Sequence, residues 1–264
     1  MLFSRCQRVL TRAVLAALAL SVTATTAALA KPSKPRQGGF RLLANAVNVF
    51  TVNRVQCRIF SDGQICATGS STVGGGIWPR GSANQYVFGS GINIAGVIEA
   101  GDRSVNGFAG DTAGGFFNNT AGTNNGLQFR PIFSSNDPVD AAAWPEEARV
   151  PLGDATAELF DPSLQGQIAA SQGDLWFVSW EGDPAQLASR SHPLGVLVET
   201  RAMGWNFPVG NEDIIYLVYT FYNITSLNPD SYLAARPAMR PLLLEAAQQF
   251  HAENTAKYGI NLPE

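Results

Sequence analysis

The chain has 264 residues, with 18 basic and 21 acidic side chains and a formal net charge of −3. It contains only two histidines and three cysteines, so histidine-based catalysis and Cys/His metal sites have few residues to draw on. The weakly acidic balance without a Lys/Arg cluster argues against nucleic-acid binding, because neutralising phosphates requires concentrated positive charge.

The first thirty residues have the pattern of a secretory signal peptide. A basic segment with three arginines precedes an apolar run at 13–22 and an Ala-Leu-Ala cleavage site at 28–30. The apolar run is about half of the ~20 residues that span a bilayer, which argues against an uncleaved anchor. We therefore expect residues 1–30 to be removed on export and no membrane span to follow. Without these three arginines, 15 basic and 21 acidic side chains remain, a net charge of −6.

Two cysteines remain once Cys6 leaves with the leader. Cys57 and Cys66 form an even pair, and an oxidising compartment favours a disulfide between them. They flank residues 61–64, whose Asp-Gly dipeptide favours a tight hairpin turn. We therefore predict a Cys57–Cys66 disulfide that links the two arms of this hairpin. A redox pair would need CxxC spacing, and a metal site would need a nearby His or a second Cys pair.

From residue 40 the sequence pattern is typical of a β protein, with short apolar stretches separated by Gly, Asn, Asp and Pro. The segments 101–125 and 136–153 are polar or punctuated by Pro, which is typical of loops. The segment 214–222 is apolar on both faces, so we predict a strand in the middle of a sheet. In chain order, strands are predicted at 55–60, 64–68, 86–88, 92–98, 127–133, 175–180, 195–207 and 213–224.

The C-terminal region departs from this β pattern. Between 237 and 258, apolar residues recur at helical spacing and Gly259 follows as a C-cap signal, so we predict one helix that starts near Pro241. Taken together, we expect a flexible lead-in at 31–39, an antiparallel β-sandwich-like domain at 40–230 and a helical C-terminal segment at 231–264. The predicted fold class is mainly β with one C-terminal α-helix.

Carboxylates are the reactive side chains in best supply. Glu181 and Asp183 could serve as the acid and base of a glycosidase, which needs two carboxyl groups about 5–9 Å apart. The same two residues, together with Asp137 and Asp140, place oxygen donors on turns and are candidates for a structural calcium site. None of these segments matches the D-x-[DN]-x-[DN]-G loop. Asx residues that cap their own turns are the simpler interpretation.

Tryptophans are candidates for contact with a glycan. Trp176 and Trp180 share one face of a predicted strand, which indicates a core position for both. Trp78 and Trp144 each precede a proline in a Gly/Asp-rich loop, so they are the better candidates for stacking on a sugar. The sequence nevertheless favours a buried loop anchor for both residues over a sugar-stacking role.

Five segments taken in order resemble the N-terminal region of large, uncharacterised secreted or surface proteins of the Bacteroidetes and related phyla. In this sequence they lie at 59–65 (IFSDGQI), 77–82 (IWPRGS), 85–92 (QYVFGSGI), 173–178 (GDLWFV) and 214–225 (IIYLVYTFYNIT). Such proteins often carry fibronectin-type or sorting domains further on. The resemblance implies export, a place at the cell surface and a chain that continues beyond these residues, and it carries no catalytic residue to transfer.

The chain shows no G-x-S-x-G elbow, no H-E-x-x-H and no Ser/Lys signature, so nucleophilic and zinc hydrolysis lack a motif. We expect a non-enzymatic structural or binding module that is secreted to the extracellular space, the cell surface or the periplasm. Its partner would be a glycan or a cell-surface protein. A carbohydrate-active hydrolase that uses paired carboxylates is the alternative function. The oligomeric state stays open.

Overall fold

In the computed structural model of the chain, residues 47–68, 75–92, 94–97, 112–114, 127–180 and 194–258 are described. The predicted signal peptide at 1–30 and the lead-in at 31–39 lie outside this part of the chain. Glu181 and Asp183 also lie outside it. Within the described residues, none of the helices has the length and apolar character needed to cross a membrane.

Two antiparallel four-stranded sheets form the framework of the protein. The first sheet has the strand order β1-β2-β3-β4, and the second has the order β10-β9-β8-β7. Strands β5 and β6 form a separate two-stranded ribbon. The strands are β1 (Val47–Phe50), β2 (Gln56–Phe60), β3 (Gly76–Ile77), β4 (Gln85–Val87), β5 (Ala95–Val97), β6 (Thr112–Gly114), β7 (Leu127–Ser134), β8 (Gly173–Trp180), β9 (Val196–Gly204) and β10 (Tyr216–Asn223).

The second sheet is covered on both faces. Because side chains alternate along a strand, Leu175 and Phe177 of β8 point to one face and Trp176 to the other. Leu175 and Phe177 pack against Phe50 and Ile59 of the first sheet, which gives the sandwich. The predicted β-sandwich-like fold class is therefore confirmed.

The other face of the second sheet is covered by the C-terminal helix. Helix α2 (Arg240–Tyr258) packs Leu243 and Phe250 into the same hydrophobic cluster as Trp176 and Trp180. This confirms the predicted helix and the core position of both tryptophans. A second, short helix, α1 (Pro138–Ala142), lies between β7 and β8. The C-terminal segment thus shares its core with the β-rich part of the chain.

The predicted place of the segment 214–222 needs correction. It forms β10, which lies at an edge of the second sheet and is only partly covered. The central strands are β8 and β9, although they carry the charged residues Asp174, Glu199 and Arg201. The prediction was wrong because it took apolar content as the mark of a central strand. Central strands can also carry charged residues when the buried charges are paired with one another.

Cys57 and Cys66 form the predicted disulfide, with 4.6 Å between their Cα atoms. The turn before Cys66 is closed by a hydrogen bond from the Phe60 N–H to the Gln64 carbonyl oxygen, and Gly63 supplies the positive φ of 97°. The second arm of the hairpin is shorter than predicted. Only Ile65 pairs with the first arm, through an isolated antiparallel bridge to Ile59. The next residue, Cys66, has a left-handed φ of 51°, which ends the extended conformation of the second arm.

Removing the disulfide is expected to lower the free energy of unfolding by about 2–3 kcal/mol, because the bond restricts a short loop of the unfolded chain. The test is chemical denaturation of the wild type and of the double variant Cys57→Ala/Cys66→Ala. Adding reductant should shift the wild-type midpoint towards that of the variant and leave the variant unchanged. Equal midpoints for the oxidised wild type and the variant would contradict this expectation.

Candidate functional site

An exposed tryptophan lies where the two sheets meet. The Trp78 side chain is 38% exposed, and its indole N–H donates a 2.6 Å hydrogen bond to the Oδ1 of Asp213. The Arg54 guanidinium lies 5.7 Å from the centroid of the indole ring, within the range of a cation–π contact. Arg54 also contacts the carboxylates of Glu212 and Asp213, at 3.1 and 3.4 Å. The indole therefore has one fixed orientation at the surface.

A second ring extends this surface. Tyr86 lies on β4, is 63% exposed, and places its ring 6.2 Å from that of Trp78 in an edge-on arrangement with an interplanar angle of 66°. We call Trp78, Tyr86 and Arg54 the aromatic patch. It presents ring surface beside a guanidinium and two carboxylates. This combination gives both apolar and hydrogen-bonding contacts to an amphipathic ligand.

A buried asparagine holds the two sides of the patch together. Asn53 is fully buried and donates through its Nδ2 to the carbonyl oxygen of Ile214 at 2.7 Å. Next to it, the backbone N–H of Arg54 donates to the carbonyl oxygen of Glu212 at 2.8 Å. These bonds fasten the β1–β2 turn to the β9–β10 connection. No local sequence pattern indicates Asn53, because its partner Ile214 lies 161 positions away. Asp213 lies in a segment of oxygen donors that the sequence offers for calcium, but its contact with Trp78 across 135 positions has no local signal.

Trp144 has a different place from that of Trp78. Its side chain is only 8% exposed, and its ring packs edge-on against Phe133 with 6.2 Å between the centroids. It belongs to the hydrophobic cluster between the second sheet and α2. Trp144 is therefore the buried loop anchor that the sequence favours, and its place as a glycan candidate is corrected, whereas Trp78 is exposed.

Two of the residues predicted as calcium ligands, Asp137 and Asp140, accept hydrogen bonds from backbone N–H groups instead. Asp137 accepts hydrogen bonds from the backbone N–H groups of Val139 and Asp140 at the start of α1. Asp140 accepts from the backbone N–H of Ser134 at 2.9 Å. Within the described residues, no group of three or more His, Cys, Asp or Glu side chains is arranged to hold a metal ion. The other two candidates, Glu181 and Asp183, are not among these residues, so the structure adds no geometry for them.

A buried charge network lies on the helix-facing side of the second sheet. Arg236 contacts the Glu199 carboxylate and donates through its Nη1 to the Tyr222 hydroxyl at 3.2 Å. Glu199 also accepts from the Trp176 indole N–H and from the Tyr222 hydroxyl, each at 2.9 Å. Asp154 lies 3.7 Å from the Arg236 guanidinium. All five side chains are almost fully buried, and Glu199 and Arg236 at the centre of the network contact the other three.

The titration behaviour fits this mutual pairing. Burial and the neighbouring Glu199 carboxylate raise the pKa of Tyr222 above the ordinary range of a phenol. Burial acts to lower the pKa of Arg236, but the attraction of Glu199 outweighs it and the net pKa is raised. Tyr222 therefore stays neutral and Arg236 stays charged across the physiological range. Neither is poised to exchange a proton with a substrate.

A second buried ion pair lies beside this network. Arg201 and Asp174 are almost fully buried, and their Nη1 and Oδ2 atoms lie 2.7 Å apart. Asp174 also accepts hydrogen bonds from the backbone N–H groups of Ala170 and Ser171, at 2.9 and 3.0 Å. These bonds fasten the connection before β8 to the sheet. The buried carboxylates of the second sheet thus act as structural partners of cations and amides.

Comparisons of the chain with protein-family models, with curated proteins and with solved structures find no match. The function must therefore be argued from the chemistry of the described residues. Among these, the aromatic patch combines two exposed rings with fixed polar groups.

Proposed function

We propose that this protein is a non-enzymatic extracellular binding module of an exported bacterial protein, and that its aromatic patch binds a glycan. The observation that carries the proposal is the exposed Trp78 ring, which Asp213 and Arg54 hold in one orientation. A ring fixed before binding loses little conformational freedom when a ligand stacks on it. Preorganisation of this kind is typical of binding surfaces.

The chemistry beside the ring supports a polyhydroxylated ligand. The faces of a sugar ring carry C–H groups that pack on an aromatic face, while its hydroxyls need hydrogen-bond partners. The guanidinium of Arg54 offers donors, and the carboxylates of Glu212 and Asp213 offer acceptors. Half of the Arg54 side chain is exposed, so its remaining donors can reach a ligand.

Export is supported by two independent features. The leader at 1–30 has the charge and hydrophobicity pattern of a signal peptide. The Cys57–Cys66 disulfide is typical of proteins that reside in an oxidising compartment. The resemblance to large surface proteins of the Bacteroidetes agrees with both features. We infer that the protein acts outside the cytoplasm, at the cell surface or beyond it.

The buried carboxylates favour binding over hydrolysis. Glu199 and Asp174 are each committed to an arginine and to backbone or side-chain donors, which leaves neither as a free acid or base. The carboxylates beside Trp78 are paired with Arg54. A hydrolase that uses Glu181 and Asp183 therefore rests on the sequence pattern alone.

The test is a binding measurement against a panel of polysaccharides by calorimetry or affinity electrophoresis. We expect Trp78→Ala to weaken binding by about tenfold or more, because a central aromatic anchor carries much of the energy of such an interface. Trp78→Phe should retain part of the affinity, since it keeps a ring but loses the hydrogen bond to Asp213. Leu159→Ala, which removes an exposed apolar side chain elsewhere, is the matched control.

Two results would contradict the proposal. Equal affinity of the wild type and Trp78→Ala would remove the patch as the binding site. Release of reducing sugars from a bound polysaccharide would show that the protein is an enzyme. Each variant must first show the wild-type melting temperature, so that lost binding is not confused with unfolding.

A further inference from the structure

Four charged side chains lie at the aromatic patch, and their charges cancel. Arg54 contacts the carboxylates of Glu212 and Asp213 at 3.1 and 3.4 Å. Arg80 lies beside Arg54, because its backbone N–H donates to the Arg54 carbonyl oxygen at 2.6 Å, and its guanidinium donates to the Thr51 carbonyl oxygen. Two cations and two anions give these four side chains a net charge of zero. They therefore offer no excess charge of either sign to a ligand.

The carboxylates of this group already have partners in the protein. The Oδ2 of Asp213 contacts Arg54, while its Oδ1 accepts from the Trp78 indole N–H. A ligand carboxylate that approached Arg54 would meet both of these carboxylates and would have to draw the guanidinium away from them. A ligand ammonium that approached Asp213 would meet the Arg54 guanidinium in the same way. An ion of either sign thus loses to one neighbour what it gains from the other.

A hydroxyl group fits the same place without displacing a partner. It donates one hydrogen bond and accepts others, whereas a carboxylate only accepts and an ammonium only donates. Within the described residues, Arg54 bonds through its Nη1, which leaves the N–H groups of Nε and Nη2 for an acceptor oxygen of the ligand. The oxygens of Glu212 and Asp213 keep lone pairs for O–H donors. A hydroxyl can therefore bond to the guanidinium and to a carboxylate while the ion pair stays intact.

We propose that the aromatic patch selects uncharged glycans and rejects polymers of uronic acids and of free amino sugars. This inference rests on the proposed glycan binding and adds the charge class of the ligand. Polyanions are also opposed at long range, because the whole chain carries a net charge of −3. The same net charge attracts polycations, so their rejection comes from Arg54 beside the ring. The rings thus bind a sugar face, and the charged side chains decide which sugars are excluded.

The test is calorimetry or affinity electrophoresis with the folded, disulfide-bonded chain and its Trp78→Ala variant. The neutral probes are laminarin, galactomannan, methyl-esterified homogalacturonan and N-acetylated chitin oligomers. The charged probes are matched to the last two: de-esterified polygalacturonate and, at mildly acidic pH, deacetylated glucosamine oligomers.

We expect Trp78-dependent binding to at least one neutral probe, and binding at least about tenfold weaker to both charged probes. The affinity for the neutral probe should change by less than about twofold between about 20 and 500 mM NaCl, because no ion pair forms with the ligand.

A charge variant tests the cause of the selection. Glu212→Gln/Asp213→Asn keeps an oxygen acceptor at both positions and leaves Arg54 and Arg80 without anionic neighbours. It should gain at least about tenfold in affinity for polygalacturonate at low salt. Glu158→Gln/Asp230→Asn makes the same change in net charge at two exposed positions outside the patch. This matched control should gain no more than about twofold.

Three results would overturn the proposal. Trp78-dependent binding of a charged probe as tightly as a neutral one would do so and would leave the proposed glycan binding intact. A folded Glu212→Gln/Asp213→Asn variant that binds polygalacturonate no better than its control would show that the carboxylates do not exclude anions. Trp78-dependent binding to none of the probes would remove the proposed function and this inference with it. Circular dichroism and thermal melting establish that each variant is folded, and the wild-type comparison stands without them.

Discussion

Replacing Arg236 by alanine is expected to lower the free energy of unfolding by about 3–5 kcal/mol. The substitution leaves the Glu199 carboxylate buried without its main cationic partner, and it also removes a hydrogen bond to the Glu147 carbonyl oxygen. An uncompensated buried charge is among the most destabilising changes that a core can suffer. Urea denaturation of the wild type and the variant measures the difference.

The matched control for this experiment is Arg149→Ala. Arg149 pairs with Glu146 at 2.7 Å and donates to the Gly166 carbonyl oxygen at 3.0 Å, but its side chain is partly exposed and carries no buried charge partner, so its loss should cost only about 1 kcal/mol. The double variant Glu199→Gln/Arg236→Met removes both charges and should be less destabilised than the sum of its single variants. Equal effects of Arg236→Ala and Arg149→Ala would show that the buried network does not stabilise the fold.

Replacing Phe250 by alanine is expected to cost about 3–5 kcal/mol and to leave a single unfolding transition. The Phe250 side chain is fully buried between α2 and the second sheet, in the cluster that contains Trp176 and Trp180. Its loss leaves a cavity at the centre of that packing. Calorimetry or denaturant unfolding, followed by far-ultraviolet and tryptophan signals, measures both the size and the cooperativity of the effect.

Gln248→Ala provides the comparison on the same helix. Gln248 is exposed, and its replacement should change stability by no more than about 0.5 kcal/mol. Two separate transitions, with Phe250→Ala affecting only the smaller one, would show that the helix folds as an independent C-terminal unit. A single shifted transition would show that the helix is an integral layer of the β protein.

The structure divides the roles of the charged and aromatic residues by burial. Glu199, Arg201, Asp174 and Arg236 are buried and bind one another, which stabilises the central strands. Trp78 and Tyr86 are exposed, and Asn53 fixes the turn that carries Arg54 beside Trp78. This separation explains why the proposed function rests on an aromatic surface, although carboxylates are plentiful in the sequence.

Local patterns in the sequence predicted the features that depend on near neighbours. The Cys57–Cys66 disulfide joins residues nine positions apart around an Asp-Gly turn, and α2 follows from apolar spacing within a single helix. The core positions of Trp176 and Trp180 follow from alternation along one strand. The mainly β class follows from the same kind of signal, because strand and turn propensities act over a few residues.

The tertiary structure decided what depends on partners far away in the chain. Asp213 meets Trp78 across 135 positions, and Arg236 meets Glu199 across 37, so no local pattern indicates either contact. The burial of Trp144 and the edge position of β10 were also set by packing. The physical reason is that coverage of a side chain depends on which elements lie beside it, and sheet order is fixed by long-range pairing rather than by the apolar content of one segment.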